Sequence, residues 1–148
     1  MYEWIKFLHL GAGVIWLGGM TLLVFVLRPV VVRRMAAPER LTLMSDVLSR
    51  FFRIVWFSIV LLWASGFWIF SVSDMSLAPR GWHVMLGIGV LMSAIFAHIW
   101  FSPFKRLTLS VSNSDWPSAG RALIQIHPLV LINLVLGWSA VAAVLVWR

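Results

Sequence analysis

The stretch from Gly81 to Phe101, GWHVMLGIGVLMSAIFAHIWF, decides the fold of this chain. A transmembrane α-helix needs about 20 predominantly apolar residues to cross the hydrocarbon core of a bilayer, and this run is long enough to do so. It carries His83 near one end and His98 near the other. An ionisable side chain inside a membrane span is costly and marks a functional-site hypothesis. The stretch therefore predicts a transmembrane helix with two candidate functional residues.

The composition extends this prediction to the whole chain. Of its 148 residues, 61% are hydrophobic and 11% are charged, whereas soluble domains average about 25% charged residues. Four runs can each span a bilayer, and they cover residues 4–28, 52–72, 82–102 and 127–147. The first is too long for the apolar core of a secretory signal, so we interpret it as a retained span. The sequence predicts one all-α membrane domain over residues 1–148, an integral four-transmembrane-helix bundle.

Shorter elements are predicted on the polar side of these spans. Pro38 suits a first helical turn, and the apolar residues after it favour a short amphipathic helix on the membrane surface between the first and second spans. A second short helix is expected over residues 118–126, ahead of the last span. Pro103 is expected to close the third span, since proline disrupts the interior of a helix.

Lysine and arginine predict how the bundle is oriented. The loops over residues 28–53 and 103–121 hold nine of the 12 basic residues. Cytoplasmic loops are enriched in Lys and Arg, so both termini are expected outside and both basic loops inside the cell. This pattern predicts a multi-pass protein of a bacterial-type inner membrane. The same placement explains the net charge of +7 without a nucleic-acid partner.

The absence of cysteine excludes whole classes of chemistry. With no Cys in the sequence, disulfides, thiolate metal sites, iron–sulfur clusters and cysteine catalysis are ruled out. The remaining metal ligands of interest are four histidines and several methionines.

The predicted topology sorts the histidines into two pairs. His9 and His83 fall in the outer half of the membrane, and His98 and His127 fall toward the inner side. His83 and His98 are separated by about 22 Å along one helix. On the first span, His9, Gly13, Trp16 and Met20 share a face at helical spacing. Each pair is a candidate set of metal ligands, although a lone membrane histidine also serves as an interhelical hydrogen-bonding group.

Two such pairs suit a membrane haem protein. Haem iron accepts imidazole as an axial ligand, and the flat ring can lie between the helices of a bundle. Trp16 and Trp138 could pack on ring edges. Arginines near each end could hold the propionates, and the candidates are Arg53, Arg106 and Arg121 inside, with Arg80 and Lys6 outside. The hypothesis is one haem b or two.

Copper is the alternative metal. Thioether sulfur and imidazole are ligands suited to Cu(I), and the sequence places Met20, Met85 and Met92 within predicted spans. Met85 and Met92 lie on one helix face, roughly opposite His83. A methionine stripe in an apolar helix is also a common packing feature, so both interpretations stay open.

Several stretches resemble a known superfamily. Trp4–Leu10 (WIKFLHL), Val14–Met20 (VIWLGGM) and Leu27–Pro29 resemble the CopD-like small membrane proteins, and Trp82–Met85 with His98 resembles the third span of the related HemJ proteins. The resemblance implies a bundle of four or five spans. For the HemJ side it implies a b-type haem, bound by His9 among others, and protoporphyrinogen IX oxidation. For the CopD side it implies copper passage across the inner membrane.

One departure bears on activity. HemJ-like proteins have a lysine two residues after the histidine of the third span, where this chain has Met85. That difference argues against the oxidase activity. The main hypothesis is a haem b redox carrier or quinone-linked oxidoreductase, with the bilayer, a quinone or porphyrin, and a second copy of the chain as partners. The alternatives are a copper transport or resistance protein and a non-catalytic membrane subunit.

Overall fold

Four long helices make up the computed structural model, which describes residues 1–73 and 78–147. We name them α1 (Tyr2–Arg34), α2 (Ala37–Val72), α3 (Arg80–Ser112) and α4 (Trp116–Val146). Each is long and apolar enough to cross a membrane. The described part of the chain contains no strand. The predicted all-α, multi-pass membrane protein is confirmed.

Each helix continues past its predicted span at one end of the bundle. The predicted amphipathic segment forms the first turns of α2, with Leu41, Met44 and Leu48 buried, so it is not a separate surface helix. The segment 118–126 is likewise the start of α4, whose first turn is capped by Asp115. At 36 residues, α2 is about 54 Å long, well beyond the membrane core.

The prediction that Pro103 closes the third helix is wrong. Proline has no N–H and its ring crowds the carbonyl four residues earlier, which is Ile99. The chain accommodates Pro103 in a π-helical turn, Trp100–Phe104, and continues as helix to Ser112. A second π-helical turn, Leu22–Leu27, ends two residues before Pro29, and α1 runs on to Arg34. Wide turns of this kind keep a helix intact around a local defect.

The two ends of the bundle differ in what they hold. At one end, Tyr2 contacts Trp68 with ring centroids 6.1 Å apart, and the N–H of Gly81 donates to the carbonyl of Trp147 at 3.1 Å. We call this the terminal end. The opposite, basic end holds the α1–α2 and α3–α4 connections. The connection between α2 and α3, over residues 73–80, is short and nearly neutral in sequence. Its residues 74–77 lie outside the described part, as does Arg148.

Aromatic rings fill the interface between α2 and α3. Phe52 packs edge-on against Phe96 and Phe104, with ring centroids 5.2 and 4.9 Å apart. Trp56 also meets Phe96, at 5.3 Å. Trp16 of α1 reaches the same ring at 6.1 Å. Phe96 therefore joins three helices, and edge-to-face packing of this kind adds about 0.5–1.5 kcal/mol per pair beyond burial.

Candidate functional site

His9 is held by a hydrogen bond to the neighbouring helix. Its Nδ1 lies 2.9 Å from the hydroxyl of Ser65 on α2. That hydroxyl has one proton, and it donates to the carbonyl of Leu61 at 2.5 Å. When that proton is on Leu61, His9 is the donor from Nδ1, because Ser65 has no second proton to give. This arrangement leaves the lone pair of His9 Nε2 free, and a second partner of this kind commonly orients a metal-binding imidazole.

Glycines leave room around this imidazole. A Cβ built on Gly66 would stand 3.5 Å from His9 Cε1, and one built on Gly13 would meet nothing within 4 Å. The sequence placed Gly13 on the face of His9 but did not connect Ser65 or Gly66 with this imidazole. The predicted shared face of α1 is confirmed, since Trp16 and Met20 are buried and His9 and Gly13 are half-buried.

Two of the three candidate methionines lie inside the bundle. Met20 is 2% exposed and Met92 is 5% exposed, while Met85 is half-buried. Met92 approaches α4 so closely that its Cε would be 3.2 Å from a Cβ placed on Gly137. The interior of the bundle therefore contains thioether groups from both α1 and α3.

Asn133 is the most unusual polar group in the interior. It is 1% exposed, and its Nδ2 donates to the carbonyl of Met92 at 3.2 Å. Its Oδ1 is buried and has no hydrogen-bond partner among the described residues. A buried carbonyl without a partner costs about 1–3 kcal/mol. Such a group is a candidate for contact with a transported species.

A third hydrogen bond completes a set that joins all four helices. The indole N–H of Trp63 donates to Ser93 at 3.1 Å, and Ser93 in turn donates to the carbonyl of Gly89. The three links connect α1 to α2, α2 to α3, and α3 to α4. We call the five side chains that form them the polar belt: His9, Trp63, Ser65, Ser93 and Asn133.

The two histidines of α3 lie elsewhere. His83 and His98 are both exposed, as are Gly87 and Ala94 between them. In one copy of the chain this stripe faces away from the other helices. No hydrogen bond joins His9 to His83 or His98 to His127 within the described residues. The proposed pairings stay predictions.

His127 lines a small cavity at the basic end. The cavity has a volume of about 30 Å³, roughly one water molecule, and is otherwise mostly apolar. Arg28 of α1 and Met44 of α2 line it together with His127. The structure thus places His127 beside a cation and a thioether that the sequence did not associate with it.

The arginines proposed as propionate ligands are all exposed. Arg53 donates to the carbonyl of Ser49 in its own helix at 3.2 Å, and Arg80 begins α3. Arg106 and Arg121 line one groove at the basic end. Trp138, proposed to pack on a ring, is 58% exposed, while Trp16 is buried. Only the Arg106–Arg121 pair is brought together.

The described residues contain no group of three or more His, Asp or Glu side chains placed to hold a metal ion. The interior offers instead the nitrogen of one imidazole, thioether sulfurs and an amide oxygen. Sequence analysis missed Asn133 and the Trp63–Ser93 link. A lone amide in the apolar run LVLINLVLG was a signal that could have found Asn133.

Comparison with protein families gives a match. The family model CopD, copper resistance protein D, matches residues 45–147. This range covers α2, α3 and α4 apart from the first turns of α2. No curated protein matches the chain, and no solved structure does.

Proposed function

Because this chain belongs to the CopD family, a family of copper-resistance-related membrane proteins, we propose that it carries Cu(I) across the membrane through the interior of the bundle. The observation that supports this proposal is the burial of Met20 and Met92, at 2% and 5% exposure, with the half-buried His9 on the same face of α1 as Met20. Thioether and imidazole are ligands that Cu(I) accepts well.

The order of these ligands along the bundle suits stepwise passage. α1 and α3 both run from the terminal end to the basic end, and the Trp16–Phe96 contact fixes their register. Met92 is one turn before that contact and Met20 one turn after it. His9 lies seven residues before Trp16, about 10 Å nearer the terminal end than the Trp16–Phe96 contact. Conduction through a membrane favours several weak sites over one tight site.

The charge of the interior favours a monovalent ion. The five acidic residues of the chain, Glu3, Glu39, Asp46, Asp74 and Asp115, all lie outside the apolar spans. Without carboxylates to neutralise it, a divalent cation would face a larger desolvation penalty than Cu(I). Neutral sulfur and nitrogen ligands match the softer, singly charged ion.

The haem b hypothesis gains no support from the family assignment, whose description names copper. In a single copy His83 and His98 are exposed, whereas His9 is half-buried against α2. We therefore prefer the copper alternative. We place this activity in a bacterial-type inner membrane, with the basic end in the cytoplasm, from the distribution of Lys and Arg.

Transport into liposomes tests the proposal. The purified chain is reconstituted into vesicles that contain a Cu(I)-responsive dye, and the initial rate of Cu(I) entry is measured under reducing conditions. Replacing both Met20 and Met92 by Leu preserves volume and removes sulfur, so entry should slow by about tenfold or more. Met35→Leu, in the α1–α2 connection, is the matched control and should stay within twofold.

Two outcomes would contradict copper passage. One is entry no faster than into protein-free vesicles, and the other is normal entry with the Met20→Leu, Met92→Leu variant. An absorption spectrum of the same preparation checks the competing cofactor. A Soret band lost on replacing His9 would favour the haem hypothesis, and co-purification of a partner without transport would favour a subunit role.

A further inference from the structure

A polar groove lies between α3 and α4 at the basic end, apart from the route proposed for copper. It has a volume of about 430 Å³. Two guanidinium groups, two hydroxyl groups, two amides and one carboxylate line it, from Arg106, Arg121, Ser110, Ser118, Asn113, Gln125 and Asp115. We call it the basic-end groove.

Both arginines are oriented by uncharged partners. Arg106 donates from Nη2 to Gln125 Oε1 at 2.7 Å, and Arg121 donates to the hydroxyl of Ser118 at 2.9 Å. A guanidinium has five N–H donors, so each keeps several available. In the described part of the chain the one ion pair is between Lys6 and Glu3, at the opposite end. The groove therefore presents two positioned cations that no carboxylate neutralises directly.

The single carboxylate of the groove already has a structural role. Asp115 Oδ1 accepts a hydrogen bond from the N–H of Ser118 at 3.2 Å and so caps α4. Hydrogen bonds from Ser118 hold the pKa of the Asp115 carboxyl below its usual range, with a smaller contribution from Arg121. One negative charge against two positive charges leaves the groove with a net attraction for an anion.

The depth of the groove corresponds to the headgroup layer. Arg106 is four residues past Ser102, where the predicted third span ends, and Arg121 is six residues before His127, where the fourth begins. At 1.5 Å per residue these positions lie about 6 and 9 Å beyond the hydrocarbon edge. The polar layer of a leaflet extends about 5–8 Å from that edge, so Arg106 lies within this layer and Arg121 lies at its outer edge.

We propose that the basic-end groove binds the phosphate of an anionic phospholipid in the leaflet at that end. The two guanidinium groups would hold the phosphate oxygens, because their planar forks match that geometry. The hydroxyl and amide groups of Ser110 and Asn113 supply further hydrogen bonds. The site is separate from Met20 and Met92, so its failure and the failure of copper passage are distinguishable.

Native mass spectrometry of the full chain in detergent tests this assignment. The protein is titrated with dioleoyl phosphatidylglycerol and, separately, with dioleoyl phosphatidylcholine, and the dissociation constants of the first bound lipid are compared. Phosphatidylglycerol should bind at least about tenfold more tightly. Arg106→Gln with Arg121→Gln should weaken its binding by about tenfold or more, since each charged hydrogen bond contributes strongly.

Arg33→Gln with Arg34→Gln is the matched control. These exposed residues end α1 at the same end of the bundle, so the control removes the same charge without touching the groove, and it should change the dissociation constant less than twofold. Circular dichroism checks that helix content is unchanged in both variants. The single variants Arg106→Gln and Arg121→Gln should each show part of the loss.

Three results would overturn the proposal. Equal weakening by the control pair would assign binding to general charge, and equal affinity for both lipids would remove the preference for an anion. Displacement of phosphatidylglycerol by an excess of inorganic phosphate, with the groove variants insensitive to it, would assign the groove to a soluble phosphate instead. Retention of lipid in that competition supports the headgroup assignment.

Discussion

The two helical hairpins of this bundle are held together by different means. In the α1–α2 hairpin, side chains make the close contacts. The ring of Phe51 packs on Gly19, and His9 is hydrogen-bonded to Ser65. In the α3–α4 hairpin, backbone meets backbone, since Gly81 lies directly against the carbonyl of Ala143.

The difference shows two solutions to one problem. Lipid tails are as apolar as leucine, so helices in a membrane associate through close packing and hydrogen bonds rather than through the hydrophobic effect. At its terminal end the α3–α4 hairpin relies on Gly81, which admits a backbone that does not yield. The α1–α2 hairpin relies on a ring and a hydroxyl, which can move. We expect the first to tolerate substitution less well than the second.

Adding a methyl group at the two glycines should show the largest contrast. Gly81→Ala would place a Cβ against the Ala143 carbonyl and 2.9 Å from the Trp147 carbonyl, and we expect a loss of about 3 kcal/mol in the free energy of unfolding. Gly19→Ala meets only the Phe51 ring, which can rotate, so about 1 kcal/mol should be lost. Unfolding by sodium dodecyl sulfate in mixed micelles measures both.

Gly87→Ala is the control for this pair, because nothing lies within 4 Å of its Cβ position. It should be neutral or slightly stabilising, since alanine favours helix over glycine. Equal losses at Gly81 and Gly19 would remove the distinction between the hairpins.

Replacing the buried amide of α4 should not lower the free energy of unfolding, in contrast to the glycine substitutions at Gly81 and Gly19. Asn133→Leu removes the Oδ1 that has no partner among the described residues, along with the bond to the Met92 carbonyl. Because an unpartnered buried carbonyl costs about 1–3 kcal/mol, this variant should be neutral or more stable by about 1 kcal/mol. A marked loss of stability in the same unfolding assay would mean that Asn133 is satisfied by a group such as a bound water, and that the belt is fully paired.

The polar link of α1–α2 should prove modestly stabilising. Ser65→Ala removes the partner of His9 Nδ1, and interhelical hydrogen bonds in membrane proteins contribute about 0.6 kcal/mol on average. We expect a loss near that size. Ser71→Ala, at an exposed serine of the same helix that bonds only its own backbone, is the control. A gain in stability with Ser65→Ala would contradict the proposed orientation of His9.

The smallest effect should be a pH dependence at the α3–α4 connection. The pKa of Asp115 is lowered by its hydrogen bonds from Ser118, so the ionised cap stabilises the fold above the unfolded pKa of about 3.9 and this contribution is lost as pH falls through the folded pKa. Asp115→Ala should lower the melting temperature at pH 7, with a smaller difference below pH 4. Asp115→Asn keeps a capping side chain and serves as the control. A difference that does not change with pH would exclude this cap as the cause.

Sequence predicted the spans well because the bilayer imposes a simple rule. Runs such as residues 82–102 must be helical, since every backbone group in the hydrocarbon must find a partner within its own segment. The prediction of where the third helix ends, at the basic end of the bundle, was wrong. From local sequence, Pro103 predicts the end of a helix. In the structure, Phe52 packs against Phe104 and Trp56 packs against Trp100, on either side of this proline. These tertiary contacts favour continuing the helix.

The candidate site was predicted only in part. Helical spacing put His9, Trp16 and Met20 on one face, and burial agrees with this. Spacing on α3 could not say which face points inward. His83 and His98 share a face but it is exposed, while Met92 on another face is buried. Helical periodicity shows which residues share a face, and packing against neighbouring helices decides whether that face is buried.

By itself, then, the sequence determined that this protein is a four-span helical membrane protein, because composition and run length against bilayer thickness leave no other solution. The tertiary structure alone decided which polar groups meet. Ser65 orients His9, Asn133 faces Met92, and Arg106 and Arg121 share a groove. These contacts join residues far apart in the chain, and their positions depend on the rotation of each helix, which local pattern does not encode.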